Sequence, residues 1–371
     1  MSRNKLKVCY VLQYFDSKDD SHFYHIYGAL KKLAKEVSIF LILEKGEAKE
    51  TDFPEIETVY TQKFSFLPLR SIELFFVCIW ARIIGNKFFY VHYSRVGAVC
   101  SSVAARLSFG KVFYWNCGMP WLFEKSWLSK IRAKIIYRCV NYLVTGNETM
   151  KQLYSTQYGI DEEAIKVVPN WVDLDRISQH SIDESSLRGK KQLPIDVHII
   201  LFVHTISERK GADLLPDIAS ILIQKNIKFI MLVIGDGPAK KKVEYLIEKR
   251  NVGTNVKMLG SIPNSEILDF FMLADIFLMP SREEGVPRVL IEAMASGLPY
   301  VASNIGGVQE LGPKEALPYL YNNNDVKLAA DKVESLLSDA DAYNRFKLAE
   351  KERVLSFSEG KYIEEFKKIF S

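Results

Sequence analysis

The 371-residue chain has only five cysteines. Cys9, Cys78, Cys100, Cys117 and Cys139 stand singly through the first half, with no CxxC pair among them. That excludes a disulfide framework and a zinc knuckle, and predicts a reduced, cytoplasmic protein. The six histidines do not group at metal-ligand spacing, so no metal site is expected. Long hydrophobic runs are also missing. The N-terminus passes from MSRNKLK straight into the strand-like VCYVLQ, without the pattern of a secretory signal. The most apolar stretch, IELFFVCIWARII from Ile72 to Ile84, is short and carries Glu73 and Arg82. It predicts a buried or interfacial helix rather than a membrane span. Strong net charge is absent too: the formal value is +4, too small to suggest nucleic acid. The charge is uneven, however. Residues 1–172 hold 23 Lys+Arg against 16 Asp+Glu, and the remainder 26 against 29. A mildly basic first half suits an anionic surface.

What the chain does have is alternation. Short apolar, β-branched or aromatic runs, each followed by a helix-like segment, appear as KVCYVLQ, VSIFLIL, FFYVHY, KVFYW and YLVTG in the first half. HIILFVH, FIMLVIG, VKMLG, DIFLMPS and PYVAS repeat the arrangement in the second. Strands this apolar predict parallel sheets covered on both faces. The fold class is therefore α/β, with two Rossmann-like doubly wound domains facing a central cleft. Residues 1–172 form the first domain and 197–355 the second. The polar stretch 173–196 reads as a linker. Residues 356–371 form a last helix that crosses back to the first domain. Ligands of such sheets bind at the carboxyl ends of the strands.

Four strand-to-helix turns of the second half carry chemistry. TISERKG holds Arg209, Lys210 and Gly211; IGDGP holds Gly235 and Gly237; SREEGVP places Pro287 at a helix start; NIGGVQE holds Gly306, Gly307 and Glu310. Glycines let a backbone approach a ligand, and helix N-termini attract phosphate. With Lys210 added, the set describes a diphosphate site. GDGP does not continue as a dinucleotide fingerprint, because Lys240 stands at the last glycine position. Glu292, inside the apolar helix VLIEAMA, has a plain alternative role as the partner of Arg288 one turn back. Asp173 and Asp175 in DLD sit in the linker and carry no metal expectation.

The stretch PSREEGVPRVLIEAMASGLPYVASNIGGVQE closely resembles the signature of retaining glycosyltransferases of family 4, which have the GT-B fold. Glu284 and Glu292, with seven residues between them, fall on that family's glutamate pair. The resemblance extends to ERKG, VIGDGP, LGSIPNSEILDFFMLADIFLMPS and VVPNWVDLD. It implies that Glu284 holds donor-sugar hydroxyls, Glu292 the ribose diol, and Lys210 the leaving diphosphate. Donor contacts would come from Thr205, Gly235, Gly237, Gly285, Val286, Pro287, Arg288, Gly306 and Gly307. Two departures stand out. His204 and Thr205 occupy the family's Gly-Arg, leaving Arg209 to supply the missing charge. Cys117 in YWNCGMPW replaces a histidine of the first domain. The acceptor side is assigned to His22, Cys117 and Gly118. No cofactor is implied beyond the nucleotide-diphosphate sugar used as donor substrate; the acceptor would be a glycan or a lipid-linked sugar. Other classes on this scaffold are a non-catalytic sugar-nucleotide binder and a nucleotide-sugar epimerase. Finally, residues 121–138 place Trp127, Ile131 and Ile135 at helical spacing among Lys125, Lys130, Arg132, Lys134 and Arg138. Two readings stand for them. One is an ordinary helix with a solvated basic face; the other is an interfacial helix docked on anionic lipid at the inner face of the cytoplasmic membrane.

Overall fold

The computed structural model describes residues 5–16, 24–124 and 126–371. Contacts divide the chain into two units, residues 1–169 with 359–371 and residues 170–358.

The first unit is built on seven parallel strands. They are β1 (Leu6–Leu12), β3 (Val37–Leu43), β5 (Thr58–Thr61), β6 (Phe88–His92), β7 (Lys111–Trp115), β8 (Tyr142–Thr145) and β9 (Ile165–Val167), with β2 (Phe15–Asp16) and β4 (Gly46–Glu47) pairing separately. The order β5-β3-β1-β6-β7-β8-β9 means that the chain works outward from β1 in one direction, then from β6 in the other. Right-handed crossovers then require helices on opposite faces. Helix α1 (Tyr24–Glu36) covers one face. Helices α2 (Leu67–Ile83), α3 (Arg95–Leu107), α4 (Trp127–Cys139) and α5 (Glu148–Tyr158) cover the other. Ser94, Ser126 and Asn147 cap the last three through side-chain oxygens, satisfying N–H groups that each helix start leaves open.

The second unit has six parallel strands, β10 (His198–Val203), β11 (Phe229–Ile234), β12 (Val256–Gly260), β13 (Ile276–Met279), β14 (Tyr300–Ser303) and β15 (Leu320–Tyr321), ordered β12-β11-β10-β13-β14-β15. Every residue of β11, β13 and β14 is buried, as the continuous apolar runs predict for strands covered on both faces. Residues 173–196, read from sequence as a linker, contain α6 (Leu174–Gln179) and α7 (Glu184–Lys190), with Asp173 and Asp183 as caps. The Asp173 carboxylate accepts the Arg176 N–H at 2.9 Å, which is its role in DLD. The unit continues through α8 (Leu215–Gln224), α9 (Lys240–Lys249), α10 (Asn264–Leu273), α11 (Arg288–Ala295), α12 (Val308–Leu311), α13 (Val326–Ser338) and α14 (Ala340–Arg353).

The last helix, α15 (Glu359–Lys368), belongs to the first unit. Phe366 meets Tyr90 with ring centroids 4.8 Å apart, and Phe370 meets Phe113 at 4.6 Å. Lys32 of α1 reaches Glu359 at 2.7 Å.

Candidate active site

The strand order of the second unit reverses direction between β10 and β13, and such a switch point opens a crevice at the carboxyl ends of the strands. The loops that leave β10 and β13 there carry Lys210 and Glu284. Nζ of Lys210 donates to both carboxylate oxygens of Glu284 at 2.8 Å. Both residues are buried, 5% and 6% exposed. Ser281 Oγ donates to Glu284 Oε1 at 2.8 Å, and His204 Nε2 lies 3.3 Å from the same oxygen. His204 Nδ1 accepts the Thr205 N–H at 2.9 Å, so the ring's remaining hydrogen sits on Nε2 and points at the carboxylate.

Electrostatics follow from this arrangement. Burial alone would raise the Glu284 carboxyl, but the hydrogen bond from His204 and the charge of Lys210 outweigh it and bring the value down to about 2. Burial lowers His204 and keeps it neutral, with Glu284 opposing the shift. Lys210 is lowered as well, by burial first, against the pull of Glu284. The nearby Arg209 charge pushes both His204 and Lys210 the same way. Arg209 itself is exposed. Ion pairing would raise the lysine; its burial is the stronger effect, and the carboxylate remains the firmly ionised member of the pair.

Glycine fits the loops together at two points. Gly211 has φ +69°, and a Cβ there would lie 1.9 Å from the Pro280 carbonyl oxygen. Gly306 has φ +50°, with the Glu284 carbonyl oxygen 1.8 Å from any Cβ. Neither place admits a side chain, so the loop after β10 and the loop after β14 both press against the one that carries Glu284. The Gly285 carbonyl accepts the Gly307 N–H at 2.9 Å, and the Val286 carbonyl accepts from Asn170 at 3.0 Å.

Several backbone N–H groups at these turns are already paired. The Gly235 N–H bonds the Gly260 carbonyl at 2.8 Å, and the Gly237 N–H bonds Asp236 Oδ1 at 2.7 Å. These glycines, like Gly307, spend their N–H groups inside the loops and offer close approach instead. Pro287 is the N-cap of α11 rather than its first residue, and no side chain caps that helix. Its first turn therefore keeps the field that attracts an anion. Glu292 lies on α11, half-buried, 3.3 Å from Arg288 Nη2. Arg288 also reaches the Trp171 carbonyl at 3.3 Å. The ion pair weighed from the sequence is thus present, and it orients the carboxylate. Thr205 is exposed beside His204.

Three groups of the site have no role assigned from the sequence. His204 and Ser281 hold Glu284; their only signals were a histidine at a strand's carboxyl end and the serine of Pro-Ser. Glu283 has a buried carboxylate oxygen without a partner among the described residues, announced only by the doubled glutamate.

In the first unit, the switch point between β1 and β6 holds an aromatic cluster. The Tyr10 hydroxyl lies 2.9 Å from His92 Nδ1. His92 Nε2 is buried without a partner among the described residues, and burial lowers this histidine to about 3. Tyr93, at φ +58°, brings its hydroxyl 2.8 Å from Cys117 Sγ. The Gly118 N–H bonds Asn116 Oδ1 at 3.1 Å. His22, assigned with Cys117 and Gly118 to the acceptor side, lies outside the described residues, as does Lys125.

The similarity of this chain to known proteins matches the geometry. A family model described as glycosyl transferases group 1 matches residues 183–353, and one described as glycosyltransferase family 4 matches residues 20–176. A phosphatidylinositol N-acetylglucosaminyltransferase component from Arabidopsis thaliana is 27% identical over 214 residues, 56% of this chain and 45% of that protein. The chain spans about half the length of the curated relatives it matches. The crystal structure of a glycosyltransferase from Rickettsia africae superposes with a TM-score of 0.81 at 20% identity, covering 99% of this chain and 98% of that one. Anabaena HepE in complex with UDP gives 0.81 at 17% identity, covering 98% and 99%. At these identities the structures establish the fold. With two parallel-sheet units of that fold and family models over both halves, the chain belongs to the GT-B glycosyltransferases of family 4 type.

Proposed function

We propose that the chain is a retaining, metal-independent glycosyltransferase. It moves a hexose-type sugar from a nucleotide-diphosphate donor to a hydroxyl of a glycan or lipid-linked acceptor, in cell-surface polysaccharide or glycolipid synthesis. The observation that carries this reading is the buried Lys210–Glu284 pair at the β10/β13 switch point. Glu284 takes donor-sugar hydroxyls, Glu292 takes the ribose diol, and Lys210 with Arg209 and the start of α11 faces the diphosphate. As the bond from sugar C1 to the phosphate oxygen breaks, its electron pair leaves with the diphosphate. The acceptor oxygen bonds to C1 on the same face, and its proton passes to the departing phosphate oxygen. Fixed cations and N–H groups aimed at that oxygen stabilise the transition state. UDP in the HepE structure supports a nucleoside-diphosphate donor. The phosphatidylinositol named for the Arabidopsis relative supports a lipid-linked acceptor, with residues 121–138 against an anionic membrane. Among the described residues, no helix is long and apolar enough to cross a membrane.

A thermal-shift screen against nucleotide sugars identifies the donor, since a ligand at 100 times its Kd adds about 2.7 kcal/mol. Transfer to a glycan or lipid acceptor is then followed by NMR of the new anomeric centre. Inversion at that carbon overturns the retaining mechanism. Absence of transfer, with donor binding still sensitive to Glu292→Ala, marks a non-catalytic binder.

A further inference from the structure

The first unit concentrates its exposed apolar side chains in one place. Of the twenty-six large apolar side chains exposed among the described residues, nineteen lie between Phe64 and Ile135. They follow helical spacing. On α2, Leu69, Ile72, Phe76 and Ile83 form an outward stripe, with Phe76 63% and Ile83 77% exposed. Leu74, Val77, Cys78 and Ala81 fill the inward face of the same helix. Helix α3 adds Val103 and Leu107, and Phe109 just beyond its end is 94% exposed. Helix α4 adds Trp127, Ile131 and Ile135. Helices α2 and α3 pack together, as do α3 and α4, in one layer over the sheet. Their outer faces bring these side chains together, whereas a soluble monomer rarely exposes a contiguous apolar patch larger than a few hundred Å².

Charge identifies the occupant. From Lys63 to Arg138 the chain carries twelve Lys+Arg and two carboxylates. Both carboxylates are engaged within the unit, Glu73 half-buried and Glu124 buried. Glu73 accepts the Tyr60 hydroxyl and the Lys63 N–H, and buried Glu124 accepts the Tyr158 hydroxyl. Lys130, Arg132, Lys134 and Arg138 are exposed along α4, and among the described residues none is paired with an acid. A second copy of the chain would set this positive charge against itself. An anionic bilayer offers both what the cations lack and an apolar interior for the stripes.

We infer that the outer face of α2, α3 and α4 together is a docking surface for an anionic lipid bilayer, with the apolar stripe of α2 as its main insertion. This enlarges the contact proposed above for residues 121–138 and rests on that reading for the lipid-linked acceptor. Vesicle binding needs no turnover, so the two fail separately.

The test is flotation of the full chain with vesicles of phosphatidylcholine alone or with about one-third phosphatidylglycerol, at low and high salt. Recovery is expected with the anionic vesicles, falling steeply by about 0.5 M salt. Replacing Lys130, Arg132, Lys134 and Arg138 by glutamine should lower partition on the order of 10³-fold. The variant Phe76→Ser/Ile83→Ser should lower it by at least about 10²-fold. All four cations and both apolar residues are exposed, and circular dichroism checks that each variant is folded. Equal recovery with both vesicle types, or none with either, overturns the inference. So does wild-type binding by the Phe76→Ser/Ile83→Ser variant. Dimerisation of the wild type that this variant abolishes, without vesicle binding, assigns the face to a second copy and overturns it as well.

Discussion

Removing the Glu284 carboxylate would leave Lys210 as an uncompensated ammonium in a site where it is 5% exposed. Breaking a buried pair from one side costs about 3–5 kcal/mol. Linkage gives a similar size. The carboxyl titrates at about 2 in the folded state against 4.5 for the free group, and at 1.36 kcal/mol per pKa unit that is about 3 kcal/mol. For a unit of this size each kcal/mol moves Tm by about 2–4 °C. Glu284→Ala should therefore lower Tm by about 6–20 °C at pH 7, read by circular dichroism. Glu284→Gln keeps acceptors for Ser281 and His204 but not the charge, and should fall between. Adding Lys210→Met to Glu284→Ala should restore more than half of the loss, because the stranded ammonium goes with it. Acid supplies a second reading. The contribution is complete above pH 4.5 and disappears as pH falls toward the folded value, so wild type and Glu284→Ala should converge over that window. A Glu284→Ala melt within about 2 °C of wild type, or a double variant no better than the single, would refute the reasoning.

Lys210→Ala should reduce kcat on the order of 10²–10³-fold, and Arg209→Ala by a smaller measurable factor, in transfer assays with the true donor and acceptor. Glu292→Ala should weaken nucleoside-diphosphate binding in titration calorimetry with little change in kcat, because ribose is held alike before and during reaction. His204→Leu should cost about 1.5–3 kcal/mol in urea unfolding through the lost hydrogen bond to a charged group, and His204→Gln should recover most of it. Burial lowers His204 from 6.5, so wild-type stability should decline as pH drops below that value and the Gln variant should lack this component. Burial raises Glu350 well above 4.5, and its carboxylate oxygens have no partner among the described residues. The wild type should lose urea stability as pH rises from 4.5, and Glu350→Gln should gain on it at pH 8.

Most of the fold could be read from the chain because its central strands are long and apolar on both sides. VSIFLIL and KVFYW coincide with β3 and β7 to the residue, as VKMLG does with the edge strand β12. The strands that escaped are β2, β4, β5, β9 and β15, none longer than four residues. Pairing with a neighbour makes them strands; periodicity does not announce them. The reading of 173–196 failed for a related reason, since helices of six and seven residues are too short to show a period. In the site, the glutamate pair and Lys210 were legible because their order along the chain is fixed. That His204 reaches Glu284 depends on β10 and β13 lying side by side, a relation across about eighty residues that no local spacing contains, whereas Ser281 reaches the same carboxylate from three residues away in one loop. The N–H groups of Gly235 and Gly237 are taken by Gly260 and Asp236, pairings that the glycine spacing does not reveal.

The return of α15 to the first sheet has a consequence for the order of events on the ribosome. Tyr90 and Phe113 are synthesised before the second unit, yet Phe366 and Phe370, which cover them, are synthesised after it. At 5–20 residues per second, the gap corresponds to roughly 12–55 s of elongation. Throughout that interval the whole second unit is being threaded through while an aromatic face of the first stands open to other chains. The first unit is thus begun before the second and finished after it, and a nascent chain stalled before residue 359 would present that face as a site for chaperones or aggregation.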